Sequence, residues 1–166
     1  MFCALDVSYK DNAAVAACLT FSDWTAASPL DEYVCRIQDI ESYRAGEFFR
    51  RELPCLLRVL EELPELTELM LIDGYVWLDA RRRPGLGVHL YEHFEGQIAV
   101  VGIAKTAFHG SPHAIQVVRG RSSRPLYVTA AGMDADAAAT AVLSMHGQHR
   151  IPTLLRRVDQ LCRGDS

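Results

Sequence analysis

Three strand-like segments near the amino end are joined by connections too short to contain a crossover helix. Phe2 to Tyr9 alternates loosely, Ala13 to Phe21 follows a short polar turn, and Tyr33 to Ile37 follows a polar loop. Parallel neighbours need a connection of about a dozen residues or more, usually a helix. The three segments therefore predict an antiparallel start to a β-sheet.

The most regular helical pattern follows the third strand. Leucines recur at positions 53, 56, 57, 60 and 63, which is the spacing of one helical face. Proline is well tolerated only in the first turn of a helix, and Pro54 stands near the start of this pattern. We therefore expect the regular helix to begin close to Glu52 and to end at Pro64.

Two compact apolar runs come next, and each is typical of a buried central strand. Leu66 to Ile72 ends at Asp73, and Ile98 to Ala104 ends at Lys105. Between them, Gly85 to Phe94 is predicted to be a short helix. This alternation of apolar runs with helices predicts strands that continue the sheet in parallel.

The last part of the chain adds a hairpin and two helices. Ile115 to Val118 and Leu126 to Thr129 are predicted to pair, an alanine-rich helix runs through Ser144, and Pro152 opens a basic terminal helix. Residues 1–166 thus predict a single α/β domain. Its mixed sheet has three antiparallel strands and then parallel strands, with helices on both faces.

The composition is that of an ordinary soluble domain. Hydrophobic residues make up 49% and charged residues 23%, and no apolar run reaches the length of a membrane span. The five cysteines are scattered without CxxC spacing, and the amino end lacks a signal-peptide pattern. We expect a monomer in the cytoplasm with reduced thiols. A net charge of −4 argues against non-specific coating of nucleic acid, although a nuclease with acidic metal ligands is compatible with it.

Three acidic residues stand where they could meet at one edge of the sheet. Asp6 lies inside the first strand, Asp73 ends the fourth, and Glu52 stands at a helix start. Asp73 and Glu52 each have a simpler explanation alone, because Asp after a strand often forms a turn and Glu near a helix start favours the dipole. Asp6 inside an apolar strand is harder to dismiss, because an unpaired buried carboxylate is costly. Together they predict a site for a hard divalent cation such as Mg²⁺, which metal-assisted phosphodiester cleavage requires.

Two further charged positions each have two interpretations. One of Asp134 and Asp136 is the N-cap of the alanine-rich helix, and the other is either a metal ligand or a surface residue. Lys105, at the end of the fifth strand, is either solvated or placed to neutralise a phosphate. Arg81 and Arg82, with Arg83 and the arginines at 121 and 124, form basic segments suited to backbone phosphates.

The order of elements resembles the ribonuclease H-like fold, and the motifs resemble the endonuclease V family. LDVSY, YRAGEFFRRELP, LIDGY, GLGVH, VGIAK and HRIP occur in the order typical of that family, from about Cys3 to Leu161. The resemblance implies an endonuclease that cleaves DNA or RNA near inosine or deoxyinosine. It also implies Mg²⁺ as cofactor, with Mn²⁺ as a substitute, and lesion-containing or single-stranded nucleic acid as partner.

The resemblance implies roles for particular residues. Asp6, Glu52 and Asp73 fall on the family's metal-binding carboxylates, Lys105 on a lysine near the scissile phosphate, and Asp136 on a late acid of the active site. Tyr43 falls on the wedge that opens the duplex. The glycines that fall near the pocket for the flipped base are Gly46, Gly74 and Gly85.

Two departures from the family pattern keep other functions open. The wedge has Arg44-Ala45 where the family has isoleucine and proline, and Tyr75-Val76 follow Asp73-Gly74 where the family has histidine and glycine. One alternative is a nuclease of the same fold with a different target. The other is a non-catalytic module that binds nucleic acid.

Overall fold

A seven-stranded mixed sheet forms the centre of the fold in the computed structural model, which describes residues 1–40, 42, 44–45, 47–109 and 111–165. The sheet order is β3-β2-β1-β4-β5-β7-β6. The strands, in chain order, are β1 (Phe2–Lys10), β2 (Ala13–Phe21), β3 (Asp31–Ile37), β4 (Leu69–Asp73), β5 (Ala99–Ala104), β6 (Ile115–Val117) and β7 (Leu126–Ala131).

The directions of the strands confirm the predicted mixed sheet. β1 pairs antiparallel with β2, and β2 with β3. β4 is parallel to β1, and β5 is parallel to β4. β7 runs antiparallel to β5 and forms the predicted hairpin with β6. The ends of β1, β4 and β5 therefore point to the same edge of the sheet, which we call the carboxyl edge.

Helices cover both faces of the sheet, as predicted. The helices are α1 (Phe48–Leu60), α2 (Leu86–His93), α3 (Ala135–Ser144) and α4 (Thr153–Arg163). Apolar residues of α1 and α2 belong to one buried cluster, and those of α3 and α4 belong to a second. Alternate residues of β1 and β4 divide between the two clusters, so each strand is buried on both faces. Within the described ranges, no helix has the length and apolar character needed to cross a bilayer.

The expected start of the first helix is wrong. α1 begins at Phe48, four residues before Glu52, and Pro54 lies inside it. Proline has no N–H for the carbonyl of Arg50, which would normally break an interior turn. Pro54 lies on the exposed side of α1, where water can hydrate that carbonyl, while Cys55, Leu56 and Val59 are buried in the core. Packing of the apolar face thus outweighs the local cost of the proline.

Candidate functional site

Two carboxylates and a lysine meet at the carboxyl edge because of the register of three parallel strands. Leu5 pairs with Ile72, so Asp6 and Asp73 stand at adjacent positions one residue further on. Asp73 in turn pairs with Ile103, two residues before Lys105. The three charged side chains line one cavity, whose apolar walls include Ile151 and Val158. The structure therefore brings Asp6, Asp73 and Lys105 together, as the strand ends predict.

Lys105 forms an ion pair across this cavity. Its Nζ donates a hydrogen bond to Oδ2 of Asp73 over 2.9 Å. Burial opposes the charge of the lysine, but the carboxylates of Asp73 and Asp6 outweigh it and raise the pKa of Lys105. Lys105 therefore stays protonated at neutral pH and holds one of the two carboxylates in place.

The carboxylates of half-buried Asp6 and buried Glu52 are crowded by other acids. Burial and then the charge of Asp73 raise the pKa of Asp6 to about 7, although the backbone N–H of Val7 donates to Asp6 over 2.8 Å. Burial, followed by the charges of Asp6 and Asp73, raises the pKa of Glu52 to about 8. Glu52 is 8% exposed and approaches the edge from α1. The single positive charge of Lys105 does not neutralise these three carboxylates, whereas an added divalent cation would.

Asp159 joins this cluster, although the sequence interpretation did not select it. Carboxylate oxygens of Asp6 and Asp159 and the sulfur of Cys162 lie within 4.8 Å of one another. Ser8 of β1 donates a hydrogen bond from its hydroxyl to the carbonyl of Cys162 over 2.5 Å, which joins α4 to β1. Asp159 stands two helical turns after Pro152. The signal that could have found Asp159 is this spacing, an acid within a basic helix that follows the HRIP motif.

Oxygen atoms are the fitting ligands in this cluster. Burial, followed by the charges of Asp6 and Asp159, raises the pKa of the Cys162 thiol to about 12. A protonated thiol is a poor ligand, because the thiolate is the form that binds metals. The donor set is therefore carboxylate oxygen, which suits Mg²⁺ and Mn²⁺ rather than a thiophilic metal.

The expected place of Asp136 beside the other acids requires correction. β7 runs antiparallel to β5, and its last residue, Ala131, pairs with Val100 near the start of β5. α3 therefore begins at the edge of the sheet opposite the carboxyl edge. Asp134 is its N-cap and accepts a hydrogen bond from the N–H of Ala137 over 2.9 Å, while Asp136 is exposed in the first turn. Asp159, not Asp136, is the late acid at the carboxyl edge.

The loop after Asp73 lies against the sheet through close backbone contacts. Gly74 has φ +130°, a conformation that other residues rarely adopt. A Cβ at Gly85 would lie 2.6 Å from the carbonyl oxygen of Tyr75. The N–H of Val76 donates to the hydroxyl of Thr129 over 2.8 Å. Gly74 and Gly85 thus fix the loop, and their role in a base pocket stays a prediction.

Gly102 allows this loop to reach the sheet. A Cβ at Gly102 would lie 2.5 Å from the carbonyl oxygen of Gly74 and 2.9 Å from the hydroxyl oxygen of Thr129. We expect Gly102→Ala to displace the loop and to lower the free energy of unfolding by about 1–3 kcal/mol. Urea unfolding of the variant and the wild type measures this difference. An unchanged free energy of unfolding would contradict it.

The predicted arginines lie in an exposed loop between β4 and α2. Asp79 folds this loop by accepting hydrogen bonds from the N–H groups of Arg81 and Arg83 over 3.0 and 3.1 Å. The guanidinium of Arg82 lies 5.4 Å from the centre of the Trp77 ring. Contact of Arg81 and Arg82 with phosphates stays a prediction. Tyr43 and Gly46, expected at the wedge and the base pocket, lie outside the described residues.

Comparison with known proteins identifies the family. The sequence profile described as Endonuclease V matches residues 1–123. The chain belongs to the endonuclease V family. The matched segment contains Asp6, Glu52, Asp73 and Lys105, whereas Asp159 lies beyond it.

Curated members of the endonuclease V family align with much of the chain. Endonuclease V of Thermus thermophilus is 32% identical over 115 residues, which is 67% of this chain. Endonuclease V of Streptomyces avermitilis is 27% identical over 180 residues, covering 96% of this chain and 77% of that protein. The alignments cover only 48% of the Thermus thermophilus protein and 53% of the Azotobacter vinelandii one, about half of each.

Solved structures of endonuclease V have the same fold. The Streptomyces avermitilis enzyme superposes with a TM-score of 0.77 at 25% identity, covering 98% of this chain and 79% of that one. Human endonuclease V gives 0.79 at 22% identity, with 98% and 82% covered. The Ciona intestinalis protein, solved in complex with a DNA that contains an inosine followed by a ribo-adenosine, gives 0.80 at 17%, with 98% and 83% covered. The last two similarities establish the fold alone.

Proposed function

We propose that this protein is a Mg²⁺-dependent endonuclease that hydrolyses phosphodiester bonds near inosine or deoxyinosine in nucleic acid. The observation that carries the proposal is the meeting of Asp6, Asp73 and Lys105 at the carboxyl edge, in a chain of the endonuclease V family. The inosine target is supported by the Ciona intestinalis relative, whose structure contains inosine in the bound DNA.

Asp6, Asp73 and Asp159 would hold the cation, with Glu52 behind them. Asp6 is central, because it lies beside Asp73 in the sheet and within 4.8 Å of Asp159. When bound, Mg²⁺ or Mn²⁺ supplies charge to the attacked phosphate and lowers the pKa of a water nucleophile. The protein contributes the fixed spacing of its carboxylates, which the parallel register of β1 and β4 sets.

Lys105 would stabilise the phosphate directly. Its ammonium group is charged, is held by Asp73 and lines the same cavity as Asp6. A fixed positive charge beside the scissile phosphate offsets the negative charge that develops in the transition state. The salt bridge to Asp73 orients Nζ without removing its other two N–H donors.

Conditions in the cytoplasm suit this protein. All five cysteines are free, and four of them are buried. We propose that the protein acts there as a monomer in nucleic-acid repair or processing, on lesion-containing or single-stranded substrates.

Cleavage of matched oligonucleotides tests the function. Single-stranded DNA and RNA, each with and without one inosine, are incubated with the protein in Mg²⁺ and in Mn²⁺. The wild type should cut only the inosine strands. Asp73→Asn, which nearly keeps the shape of the side chain while removing its charge, should cut none. Tight binding without turnover by the wild type would contradict the proposal and favour a non-catalytic binding module.

A nuclease with a different target is the second candidate, and Tyr75 favours it. This residue stands where the family motif has a histidine, and its hydroxyl contacts the carbonyl of Thr106 at 2.7 Å and the hydroxyl of Ser111 at 2.6 Å. Tyr75 therefore fixes the segment that follows Lys105 instead of remaining available to a substrate. Equal cutting of plain and inosine strands would support this candidate.

The affinity for Mg²⁺ should depend strongly on pH. Asp6, with a pKa of about 7 in the metal-free protein, must lose its proton before it binds a cation. Glu52 behind it, with a pKa of about 8, should lose its proton as the charge of the cation arrives. The apparent affinity should rise about tenfold or more between about pH 6 and pH 8 and level off above that. Titration calorimetry in buffers of different ionisation enthalpy measures both the affinity and the protons released. An affinity independent of pH, with no proton release, would contradict the assignment.

A further inference from the structure

A groove leads away from the carboxyl edge along the exposed side of α4. Its first part, of about 330 Å³, begins at Lys105 and Asp159 and is bordered by His149 and Arg156. Its second part, of about 370 Å³, extends to the loop at 27–29 and again includes His149 and Arg156. The shared residues place the two parts side by side along α4. We call them together the α4 groove.

The α4 groove also adjoins the proposed catalytic cavity. Lys105 lines both that cavity and the groove, and Ile151 lines the cavity and both parts of the groove. A strand whose scissile phosphate lies at Lys105 would therefore lie next to the groove.

The spacing of residues on α4 places an arginine at the right distance from the metal site. Arg156 precedes Asp159 by three residues, so it lies on the same side of the helix, about 4.5 Å along its axis. Leu154, Val158 and Cys162 are buried against the sheet, which leaves Arg156 exposed to the groove. A strand that follows the helix from Asp159 would meet Arg156 next.

Most charged side chains along the α4 groove form ion pairs, and two do not. Arg157 forms a bidentate pair with Glu32 over 2.7 and 2.9 Å, and Asp159 pairs with Arg163 over 2.9 Å. Arg156 and Arg150 form no ion pair with any carboxylate in the described part of the chain. Two uncompensated positive charges beside a phosphate site favour further phosphates.

Two arginines, buried Arg119 and half-buried Arg150, hold the wall of the groove in a fixed shape. Arg119, only 5% exposed, donates hydrogen bonds to the carbonyls of Met145, Gly147 and His149 over 2.5, 3.2 and 2.8 Å. Arg150 donates to the carbonyls of Pro125 and Lys105. The segment that carries His149 is therefore fixed relative to Lys105, and a bound strand need not order it.

We propose that the α4 groove binds the sugar-phosphate backbone of the substrate strand on one side of the cleaved bond, and that Arg156 contacts a phosphate there. The inference rests on the proposed nuclease function and extends it by naming a subsite. Contacts to phosphates position a strand without reading its bases. The groove should therefore strengthen binding equally for strands with and without inosine.

Arg156→Gln tests the subsite, and Arg58→Gln is its matched control. Arg58 is an exposed arginine on the opposite face, paired with Glu61 and Glu62, so its replacement changes the net charge equally. Binding of labelled single strands is measured in the Asp73→Asn background at several salt concentrations. Arg156→Gln should weaken binding about 5- to 20-fold and reduce the salt slope by about 0.7, as expected for one phosphate contact. Arg58→Gln should change neither quantity.

Shortened substrates then show whether the contact lies on one side of the cleaved bond. With full-length strands, Arg156→Gln should raise KM and leave kcat within about twofold, because the contact forms equally in ground and transition states. The rise in KM should disappear when the strand is shortened on one side of the inosine and persist when it is shortened on the other.

The outcomes separate this inference from the proposed function. If Arg156→Gln behaves like Arg58→Gln in binding, or if shortening either side has the same effect, the subsite is overturned. If the wild type cuts no strand, the nuclease function fails, and the binding comparison alone still decides whether the groove holds a nucleic-acid backbone.

Discussion

Replacing Asp6 with asparagine should reduce cleavage by about 10³-fold or more while making the metal-free protein more stable. Asp6 lies beside Asp73 and within 4.8 Å of Asp159, so its loss removes the central ligand. An amide keeps the size of the side chain, and it can still accept the hydrogen bond from the N–H of Val7. The loss of activity would therefore follow from the lost charge rather than from a change of shape.

The gain in stability follows from the raised pKa of Asp6. The folded protein holds the proton up to about pH 7, whereas the ordinary pKa of an aspartate in an unfolded chain is 3.8. The unfolded state thus binds fewer protons across this window, and the free energy of unfolding falls as pH rises through it. Above about pH 7, Asp6→Asn should raise the free energy of unfolding by roughly 2–4 kcal/mol, at about 1.4 kcal/mol per pKa unit. Near pH 4 the gain should vanish.

Urea unfolding of the wild type and Asp6→Asn at low and high pH, with and without Mg²⁺, measures these effects. Mg²⁺ should stabilise the wild type and leave the variant unchanged, since a ligand stabilises only the state that binds it. Asp31→Asn, an exposed acid on β3, is the control and should behave like the wild type. A variant that is less stable at high pH would show that Asp6 is not a crowded, unpaired acid.

Two acids in the last third of the chain should differ strongly in their effect on cleavage. Asp159→Asn should reduce kcat by about 10²–10³-fold, whereas Asp136→Asn should leave it within about twofold. Asp159 shares the carboxyl edge with Asp6, and Asp136 is exposed near the opposite edge. Both substitutions remove one charge from a helix, so the comparison holds the chemical change constant.

Steady-state cleavage and Mg²⁺ titration of the two variants check this difference. Asp159→Asn should also weaken Mg²⁺ binding, because it removes a carboxylate from the cluster. Asp159 also pairs with Arg163, so Arg163→Gln serves to separate loss of that exposed pair from loss of a ligand. Equal effects of Asp159→Asn and Asp136→Asn, or a larger effect of Asp136→Asn, would overturn the placement of the metal site.

The strands could be predicted well because their patterns are local. Ala13–Phe21 is observed with the predicted bounds, and short connections required the antiparallel start. The fourth strand begins at Leu69, three residues later than Leu66, which is 62% exposed. The start of α1 was missed because Pro54 is a strong local signal, and only the packing of the whole helix on the sheet outweighs it.

The candidate site could likewise be predicted where it depends on strands, and not where it depends on helices. Asp73 ends β4, Lys105 follows β5, and Asp6 directly follows the part of β1 that pairs with β4. Parallel pairing alone brings such positions together. Asp159 and Asp136 both stand in helices of the last third of the chain. Their periodicity does not reveal which helix packs beside β1, since that depends on the direction of β7 and the path of the chain after it.

Anomalous diffraction from crystals soaked in Mn²⁺ tests the metal centre most directly. We expect a peak in contact with the carboxylate of Asp6, shared with Asp73 or Asp159, and loss of that peak in Asp6→Asn crystals. A peak at Asp134 or Asp136 instead, or no peak at the carboxyl edge under conditions in which the protein cuts inosine strands, would contradict it.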